Sequence, residues 1–524
     1  MNVFIIVIFI GSVFFTSEKF VNTENAIKFY FTILAVFIGL LIFFIQNSNI
    51  KNHIRKLATL QTLRGLFIIG VLQAGYGILQ YIGKLPSNHS AFVITGSFEN
   101  PAGFIAVLSL LFPIGLQWCL KSKGIEQRLV FFSVGLLLFA IVLSGSRTGF
   151  LAILISSFFI FFIEFRIFQN VKFLRYFKQI LFSSLVIILL VSISLYKLKE
   201  DSALGRLFIW KISTEMIKEK PLFGFGYKGF ESNYMDYQAN YFAKHPQSQY
   251  KQLADNVLHP FNEFIKIMVN YGFVGIFLYL FLLSFIFWKI LKIKYSHKSI
   301  LIGAFVSFII LSSFSYPFHY TPVWFSLSYF TLVIFCEKLT EKRLFFVRRI
   351  LLIGIFVAGI VFLSFKMYNE MKWKTIAEKS LKGMTKKMLP QYEKLYPYMK
   401  NNSLFLYNYG AELHIAKQYR KSINILNECQ NTFNDYDLQI LLADNLLHIG
   451  DTNKAIQAYQ HAANMIPCRF LPLYRQFEIL KKIGNTNKAK RIAQEIVTKD
   501  IKVNSKTIET IIESAENFLR KEKM

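Results

Sequence analysis

The sequence is short of cysteine and of acidic side chains, and each shortage excludes a class of protein. Its 524 residues include four cysteines, with no CxxC pair and no metal-ligand spacing, so we expect neither a disulfide-rich domain nor a cysteine-ligated zinc fold. Asp and Glu together number 31 against 60 Lys and Arg, which gives a net charge of +29. The polar segments between the apolar runs hold no carboxylate cluster of the kind that binds a divalent metal. We therefore predict no metal and no cofactor.

Long apolar runs are what the sequence has in abundance. Hydrophobic residues make up 54% of the chain, a share that soluble domains of this length rarely reach. Runs near the length needed to cross a bilayer recur through the first two-thirds of the chain, which predicts an all-α polytopic membrane protein. The eleven candidate spans are 3–16, 26–46, 62–83, 101–120, 129–144, 149–164, 179–196, 264–288, 299–315, 322–337 and 350–366.

The basic residues lie mostly in alternate loops between these runs. They follow the second, fourth, sixth, eighth and tenth spans, whereas the short loops on the other side hold only Lys19, Lys84 and Arg147. The positive-inside rule then places the amino terminus and the basic loops in the cytoplasm, and eleven crossings place the carboxy-terminal region outside. The positive charge is interpreted as a topology signal, not as a nucleic-acid-binding surface.

The chain divides near residue 366, where the hydropathy drops. Residues 1–366 form the predicted membrane domain, with one long outer loop at about 197–263, and residues 367–524 a soluble helical domain. In the second domain "LLHIGDTNKAIQAYQHAANMIP" and "LKKIGNTNKAKRIAQEIV" align without a gap, with Gly450 and Gly484 34 positions apart. This is the period of the tetratricopeptide repeat. Such repeats bind partners along a concave face, so this domain is the candidate site for a protein partner.

The unusual polar residues of the membrane domain all fall on the predicted outer side. Arg147 lies in "GSRTG" (145–149), and Arg206 lies in the amphipathic segment "SALGRLFIWKISTEMIKEK", which we expect to be a helix at the membrane surface. A guanidinium group matches phosphate oxygens, and both arginines are candidates to bind a lipid-linked pyrophosphate. The alternatives are an interfacial anchor for Arg147 and a lipid headgroup contact for Arg206.

Three further outer segments supply candidates for proton transfer and for sugar recognition. In "ADNVLHPFNEF" (254–264), His259 is a candidate proton acceptor, and Glu263 either orients it or is itself the base. Capping of a span is the alternative for His259. The candidate glycan or acceptor contacts come from this segment, from "GSFENP" (96–101) and from "SYPFHYTP" (315–322), where interfacial packing is the alternative for the aromatic rings. They are Asn100, Asn262, Tyr316 and His319.

An ordered set of motifs resembles the O-antigen ligase and polymerase superfamily of bacterial envelopes. The set comprises "GSFENPAGFIAVLSLLFPI", "SGSRTGFLAIL", "GRLFIWKISTEMIKEKPLFGFGYKGF" and "HPFNEFIKIMVNYGFVGIFLYL", in that order, over about residues 90–335. By this resemblance Arg147 and Arg206 match the arginines that bind the donor phosphates, and His259 matches the loop histidine. The family usually has histidine directly before the asparagine. Here Phe261 precedes Asn262, and the histidine lies two residues further upstream, which raises Glu263 as a second candidate.

The resemblance implies a metal-independent glycosyltransferase of the bacterial inner membrane. Its donor would be a glycan on undecaprenyl pyrophosphate, and its acceptor would be lipid A–core in a ligase of lipopolysaccharide biosynthesis, a growing glycan in a polymerase, or a protein hydroxyl in an O-oligosaccharyltransferase. Two other classes stay open, namely a transporter of the lipid-linked glycan and a membrane scaffold. Transporters carry ionisable residues within their spans, whereas the spans here are nearly free of charge. A scaffold leaves the outer motifs unexplained.

Overall fold

The computed structural model describes residues 2–45, 59–165, 200–293, 297–336 and 346–522. All regular structure within these ranges is helical, which confirms the all-α prediction. The described residues form two compact units. The first comprises those within 1–198, 261–263 and 278–374, and the second those within 199–260, 264–277 and 375–524. The predicted span 179–196 lies outside the described residues.

The first unit contains the apolar helices. Seven helices within the described residues are long and apolar enough to cross a membrane, and three shorter apolar helices match further predicted spans. The protein is therefore a multi-pass membrane protein. Two of its helices, α9 (Glu263–Leu291) and α12 (Phe346–Lys379), also contribute residues to the second unit. The helices are α1 Asn2–Phe14, α2 Asn25–Ile45, α3 Leu60–Tyr81, α4 Pro101–Lys121, α5 Gly124–Leu143, α6 Arg147–Glu164, α9 Glu263–Leu291, α10 Lys298–Phe314, α11 Thr321–Cys336 and α12 Phe346–Lys379.

Helix α4 lies at the centre of the first unit, where it packs against α3, α5, α6 and α10. Hydrogen bonds at one end of this unit join segments that the sequence assigned to the outer side. The Ser97 hydroxyl donates to the carbonyl of Val13 at 2.5 Å, and the Thr148 hydroxyl donates to the carbonyl of Phe314 at 3.4 Å. At the other end, Lys121 pairs with Glu164 at 2.5 Å. These contacts place the starts of α4 and α6 at the same end of the unit as the ends of α1 and α10.

The second unit combines the long outer loop with the carboxy-terminal helices. The loop helix α8 packs against α17, and the side-chain amide of Gln238 on α8 donates to the carbonyl of Met465 at the end of α17, at 2.7 Å. The helices are α7 Glu200–Glu219, α8 Gly229–Lys244, α13 Thr385–Met399, α14 Ser403–Ile415, α15 Tyr419–Gln430, α16 Tyr436–His448, α17 Thr452–Met465, α18 Leu471–Lys482, α19 Thr486–Val497 and α20 Lys506–Lys521.

The two sequence copies in the carboxy-terminal region fold alike. Gly450 and Gly484 both take a left-handed conformation, with φ of 86° and 76°, which glycine adopts at little cost. The residue that follows each glycine caps the next helix, and the aligned Ala455 and Ala489 are fully buried in helix packing. Lys417 takes the same left-handed conformation, with φ of 64°, at the corresponding turn between α14 and α15.

Helix α9 is broken at Gly272, where φ is 61° and ψ is −158°. The glycine-rich segment 221–226 of the outer loop fills the break. The backbone N–H of Gly226 donates to the carbonyl of Asn270 at 2.7 Å, and the N–H of Phe273 donates to the carbonyl of Pro221 at 2.8 Å. A Cβ on Gly224 would lie 2.4 Å from the carbonyl oxygen of Val269, so the two backbones meet at a distance that only glycine permits.

Candidate functional site

Arg147 is the first residue of α6 and is half-buried. Ser146 caps this helix by accepting a hydrogen bond from the N–H of Gly149 at 3.2 Å, and Gly145 supplies the left-handed turn before it, with φ of 63°. A cation at a helix amino terminus opposes the helix dipole, so helix stability does not explain this arginine. An anion at the same place would be favoured by both the dipole and the guanidinium.

A cluster of polar side chains lies at the predicted outer end of the first unit. One oxygen of Glu99, Oε1, accepts from Asn25 Nδ2 at 2.6 Å and lies 3.0 Å from His319 Nε2. The ammonium of Lys28, although buried within α2, donates to the carbonyl of Ser97. The unit therefore brings one predicted residue, His319, together with three polar residues that the sequence analysis did not select.

The pKa values of two neighbouring carboxyl groups, those of Glu99 and Glu24, are shifted in opposite directions. Burial by itself would raise the pKa of Glu99, but the hydrogen bonds from His319 and Asn25 outweigh it, and the pKa lies below its ordinary value. Burial raises the pKa of Glu24 to about 7, against the attraction of Lys28 and with the repulsion of Glu99. Glu99 is therefore ionised at neutral pH, and Glu24 is close to its midpoint.

The turn at Pro317–His319 is hydrogen-bonded to the residue at the start of α9. Glu263, the first residue of α9, is only 4% exposed, and its Oε1 accepts from the backbone N–H of Phe318 at 3.1 Å. Phe261 has a φ of 54°, a strained value for a bulky residue. Its ring packs edge-on against Tyr316, with centroids 5.4 Å apart. Strain of this kind persists only where the surroundings impose it, and it falls here within the "HPFNE" motif.

His259 belongs to the second unit and is half-buried. The Lys266 ammonium lies 3.3 Å from His259 Nδ1 and 2.7 Å from Glu231 Oε1, so the three side chains form a row. The backbone carbonyl of Glu231 accepts from the N–H of Asn434 at 3.0 Å. Trp210 Nε1 donates to the backbone carbonyl of Pro260, the residue that follows His259, at 2.8 Å.

Arg206 lies on α7, half-buried, in the second unit. The apolar face of α7 is covered by protein, because Phe208 stacks on Tyr250 with ring centroids 4.8 Å apart and packs against Phe242 of α8 at 5.2 Å. Protein neighbours therefore cover the apolar face of this helix, and its location at the membrane surface stays a prediction. The amphipathic pattern was read correctly, but a pattern of this kind does not distinguish a protein neighbour from a lipid one.

The two predicted asparagines have different positions. Asn100 caps α4, and its side-chain oxygen accepts from the N–H of Ala102 at 2.9 Å. Asn262 is half-buried beside Glu263.

The sequence analysis did not select Glu99, Asn25, Lys28, Lys266 or Glu231. A signal existed for two of them, since Glu99 stands in the quoted motif "GSFENP" and Lys28 is a lone cation in an apolar span, where a charge usually has a function.

An apolar groove of about 390 Å³ adjoins the turn that carries His319. It lies between α9, α10 and α11, and Phe318 and Trp324 stack where it meets the turn, with ring centroids 4.6 Å apart. Its lining is almost entirely apolar. In the part of the chain that the structure describes, no group of three or more His, Cys, Asp or Glu side chains is placed to hold a metal ion.

Comparison with known families matches part of the chain. Residues 132–280 match the model of the O-antigen ligase family, and no curated protein matches the chain. The matched range contains Arg147, Arg206, His259 and Glu263, whereas Glu99 and the turn with His319 lie outside it. The match supports the O-antigen ligase superfamily for this multi-pass membrane protein, as the sequence motifs predicted, and it implies a glycosyltransferase-type ligase or polymerase reaction.

Proposed function

We propose that the protein transfers a glycan from undecaprenyl pyrophosphate to an acceptor hydroxyl at the periplasmic face of the bacterial inner membrane. The observation that carries the proposal is the family match over residues 132–280, which includes both candidate arginines and the loop histidine. The amino terminus is cytoplasmic in this proposal. The carboxy-terminal helices, which we propose to be tetratricopeptide repeats, are periplasmic.

Each part of the donor has a proposed binding partner. Arg147 and Arg206 bind the pyrophosphate through paired N–H donors, and they supply the positive charge that other pyrophosphate-binding sites take from a metal ion. The apolar groove beside the His319 turn takes part of the prenyl chain. Asn262, Tyr316 and His319 are proposed to contact the glycan or the acceptor, and Asn100 to hold the start of α4 beside them.

The three versions of this proposal differ in the identity of the acceptor. A ligase would use lipid A–core, a polymerase a growing glycan, and an O-oligosaccharyltransferase a protein hydroxyl. Deletion of the gene in its host, followed by analysis of the lipopolysaccharide ladder and of total glycoprotein, distinguishes them. Loss of the ladder with the core retained identifies a ligase, and single-unit glycans identify a polymerase. Lost protein glycosylation with an intact ladder identifies an oligosaccharyltransferase. An unchanged ladder and unchanged glycoprotein would contradict the proposal.

A further inference from the structure

The turn of the outer loop at residues 221–227, the loop tip, exposes apolar side chains at the surface of the second unit. Leu222, Phe223 and Tyr227 are 61%, 72% and 73% exposed. We infer that the loop tip is inserted into the bilayer, where headgroups meet acyl chains, and that it anchors the outer loop to the membrane. This anchor goes beyond the proposed function and does not depend on the reaction.

The sequence of α9 shows where water gives way to lipid. The turns of this helix before its break carry the polar residues Lys266 and Asn270, whereas no charged side chain occurs from Gly272 to Trp288. The uncharged run belongs to a helix that is long and apolar enough to cross a membrane. The break at Gly272 therefore lies at the boundary between the polar surface and the hydrocarbon.

The loop tip is held at this boundary by its backbone. In addition to the bonds described for the break, the N–H of Val274 donates to the carbonyl of Leu222 at 3.2 Å. A Cβ on Gly272 would lie 2.3 Å from the carbonyl oxygen of Leu222, so the two backbones are in direct contact. Leu222 thus lies at the level of the first apolar residues of the run.

The side chains of α9 that adjoin the loop tip also face outward. Phe273, Val274 and Phe277 are exposed, and together with the loop tip they form an apolar surface of a kind that is unusual on a protein facing water. On a helix that crosses the membrane, exposed apolar side chains contact lipid. Because the surface continues from this helix onto the loop tip, we assign both parts to the same lipid phase.

The residues at the two ends of the loop tip fit the headgroup layer. Lys220 directly precedes it and is exposed, and its ammonium lies 4.5 Å from the centre of the Phe225 ring. Lysine can keep its charge among the headgroups while its stem lies on apolar surface, and tyrosine, here Tyr227, is enriched at membrane interfaces. Polar groups beside exposed rings favour a lipid surface over a protein partner.

Anchoring of the loop tip has a consequence for the proposed site. Arg206 and His259 belong to the same unit as the loop tip. The anchor limits how far they can move from the membrane, and the pyrophosphate of a lipid-linked donor lies at the membrane surface.

Fluorescence quenching tests the anchor with the full chain in nanodiscs. Phe223→Cys and Leu222→Cys are each labelled with a fluorophore, and quenching by lipids with a nitroxide on the acyl chain is compared with quenching by aqueous iodide. Gln247→Cys, at an exposed position of the same loop, is the matched control. The unsubstituted chain, in which Cys119, Cys429 and Cys468 are buried, gives the background.

Nitroxide lipids should quench both labels in the loop tip and iodide should not, whereas the label at position 247 should behave in the opposite way. Quenching by nitroxides at different positions along the acyl chain should place the loop-tip labels about 5–10 Å into the boundary between headgroups and acyl chains. Both substituted side chains are exposed, and Tyr227→Cys replaces either variant if it fails to fold.

Three results would overturn the inference. Iodide quenching in the loop tip equal to that at position 247 would place the loop tip in water. Quenching by neither agent would show that another protein surface covers it. Nitroxide quenching that disappears when undecaprenyl pyrophosphate saturates the protein would assign the apolar surface to the prenyl chain of the donor and not to the bilayer.

Discussion

His461 Nε2 lies 2.7 Å from Asp236 Oδ1 and so joins α17, in the carboxy-terminal region, to α8 of the outer loop. The same oxygen accepts from Asn434 Nδ2 at 2.9 Å. Through Asp236, two distant parts of the carboxy-terminal region are therefore hydrogen-bonded to the loop that carries His259. The carboxy-terminal helices serve as a support for the proposed site in addition to any partner that they bind.

Asp236→Ala should destabilise the second unit, because it removes both hydrogen bonds. We expect a loss of about 1–3 kcal/mol in the free energy of unfolding, seen as a lower thermal midpoint of the purified full chain and faster proteolysis within residues 200–260. Asp201→Ala, an exposed carboxylate on α7, is the control. Equal midpoints for the two variants would show that the contact does not stabilise the loop.

Asp435 should make the stability of the carboxy-terminal helices depend on pH. It caps α16 by accepting from the N–H of Leu438 at 2.9 Å, and burial, with the nearby charge of Asp437, raises its pKa to about 6. Because the folded-state pKa exceeds the ordinary value of about 3.9, stability should be highest below pH 4 and fall as the pH rises through 6.

The variant Asp435→Asn keeps a cap oxygen and removes the charge. It should raise the free energy of unfolding at pH 7 by about 1 kcal/mol and leave it unchanged at pH 4. Thermal unfolding at the two pH values, with the exposed Asp500→Asn as control, provides the measurement. Destabilisation of Asp435→Asn at pH 7 would mean that the cap needs the ionised form.

Arg147→Lys should be nearly as damaging to turnover as Arg147→Ala. A phosphate-binding arginine supplies two parallel donors at fixed spacing, whereas lysine supplies one charge on a flexible stem. Loss of one charge-assisted hydrogen bond, about 1.5–3 kcal/mol, would reduce turnover about ten- to a hundredfold. The same pair of substitutions at Arg206 tests the second arginine, and exposed Arg128→Lys is the control. Full activity in Arg147→Lys would show that "GSRTG" serves only as the turn at the start of α6.

Activity should survive EDTA. The prediction follows from the two arginines, which carry the charge that would otherwise require a divalent ion. Purified protein with lipid-linked glycan and acceptor membranes is assayed before and after chelation, and then with added magnesium or manganese. Restoration of a lost activity by either ion would contradict the prediction.

A reporter fused after Met524 should be active if it works only in the periplasm. The basic bias of alternate loops underlies this prediction. The matched fusion of a reporter that works only in the cytoplasm should be inactive. The opposite pair of results would place the carboxy-terminal helices on the cytoplasmic side and remove the support described for the outer loop.

Much of the fold could be predicted from the sequence, because apolar runs and a 34-residue repeat leave periodic signals. The start of α6 at Arg147 and the equivalent turns at Gly450 and Gly484 are of this kind, since each is specified by residues close in sequence. The packing of α8 against α17 could not be predicted. It depends on Asp236 and His461, which are 225 positions apart, and neither belongs to a periodic pattern.

Candidate site residues could be selected from the sequence where a residue type alone suggests chemistry. Arg147, Arg206 and His259 stood out among apolar neighbours. The partner of each histidine did not, because Glu99 and His319 come from separate loops 220 positions apart. Lys266 is close to His259 in sequence, but a lone lysine on a helix does not by itself indicate its partner. Sequence alone therefore could not identify the partners of the two histidines.

The break in α9 has a consequence for how the protein is assembled. A hydrophobic span can usually enter the bilayer by itself because its backbone bonds are all internal. At Gly272 they are not, and the missing partners come from segment 221–226. This segment is synthesised before α9, and in the proposed topology it has to be on the outer side when the break forms. Insertion of α9 and folding of the loop are thus ordered in time. A substitution in "PLFGFG" should first affect biogenesis, and we expect the chain to be retained or degraded.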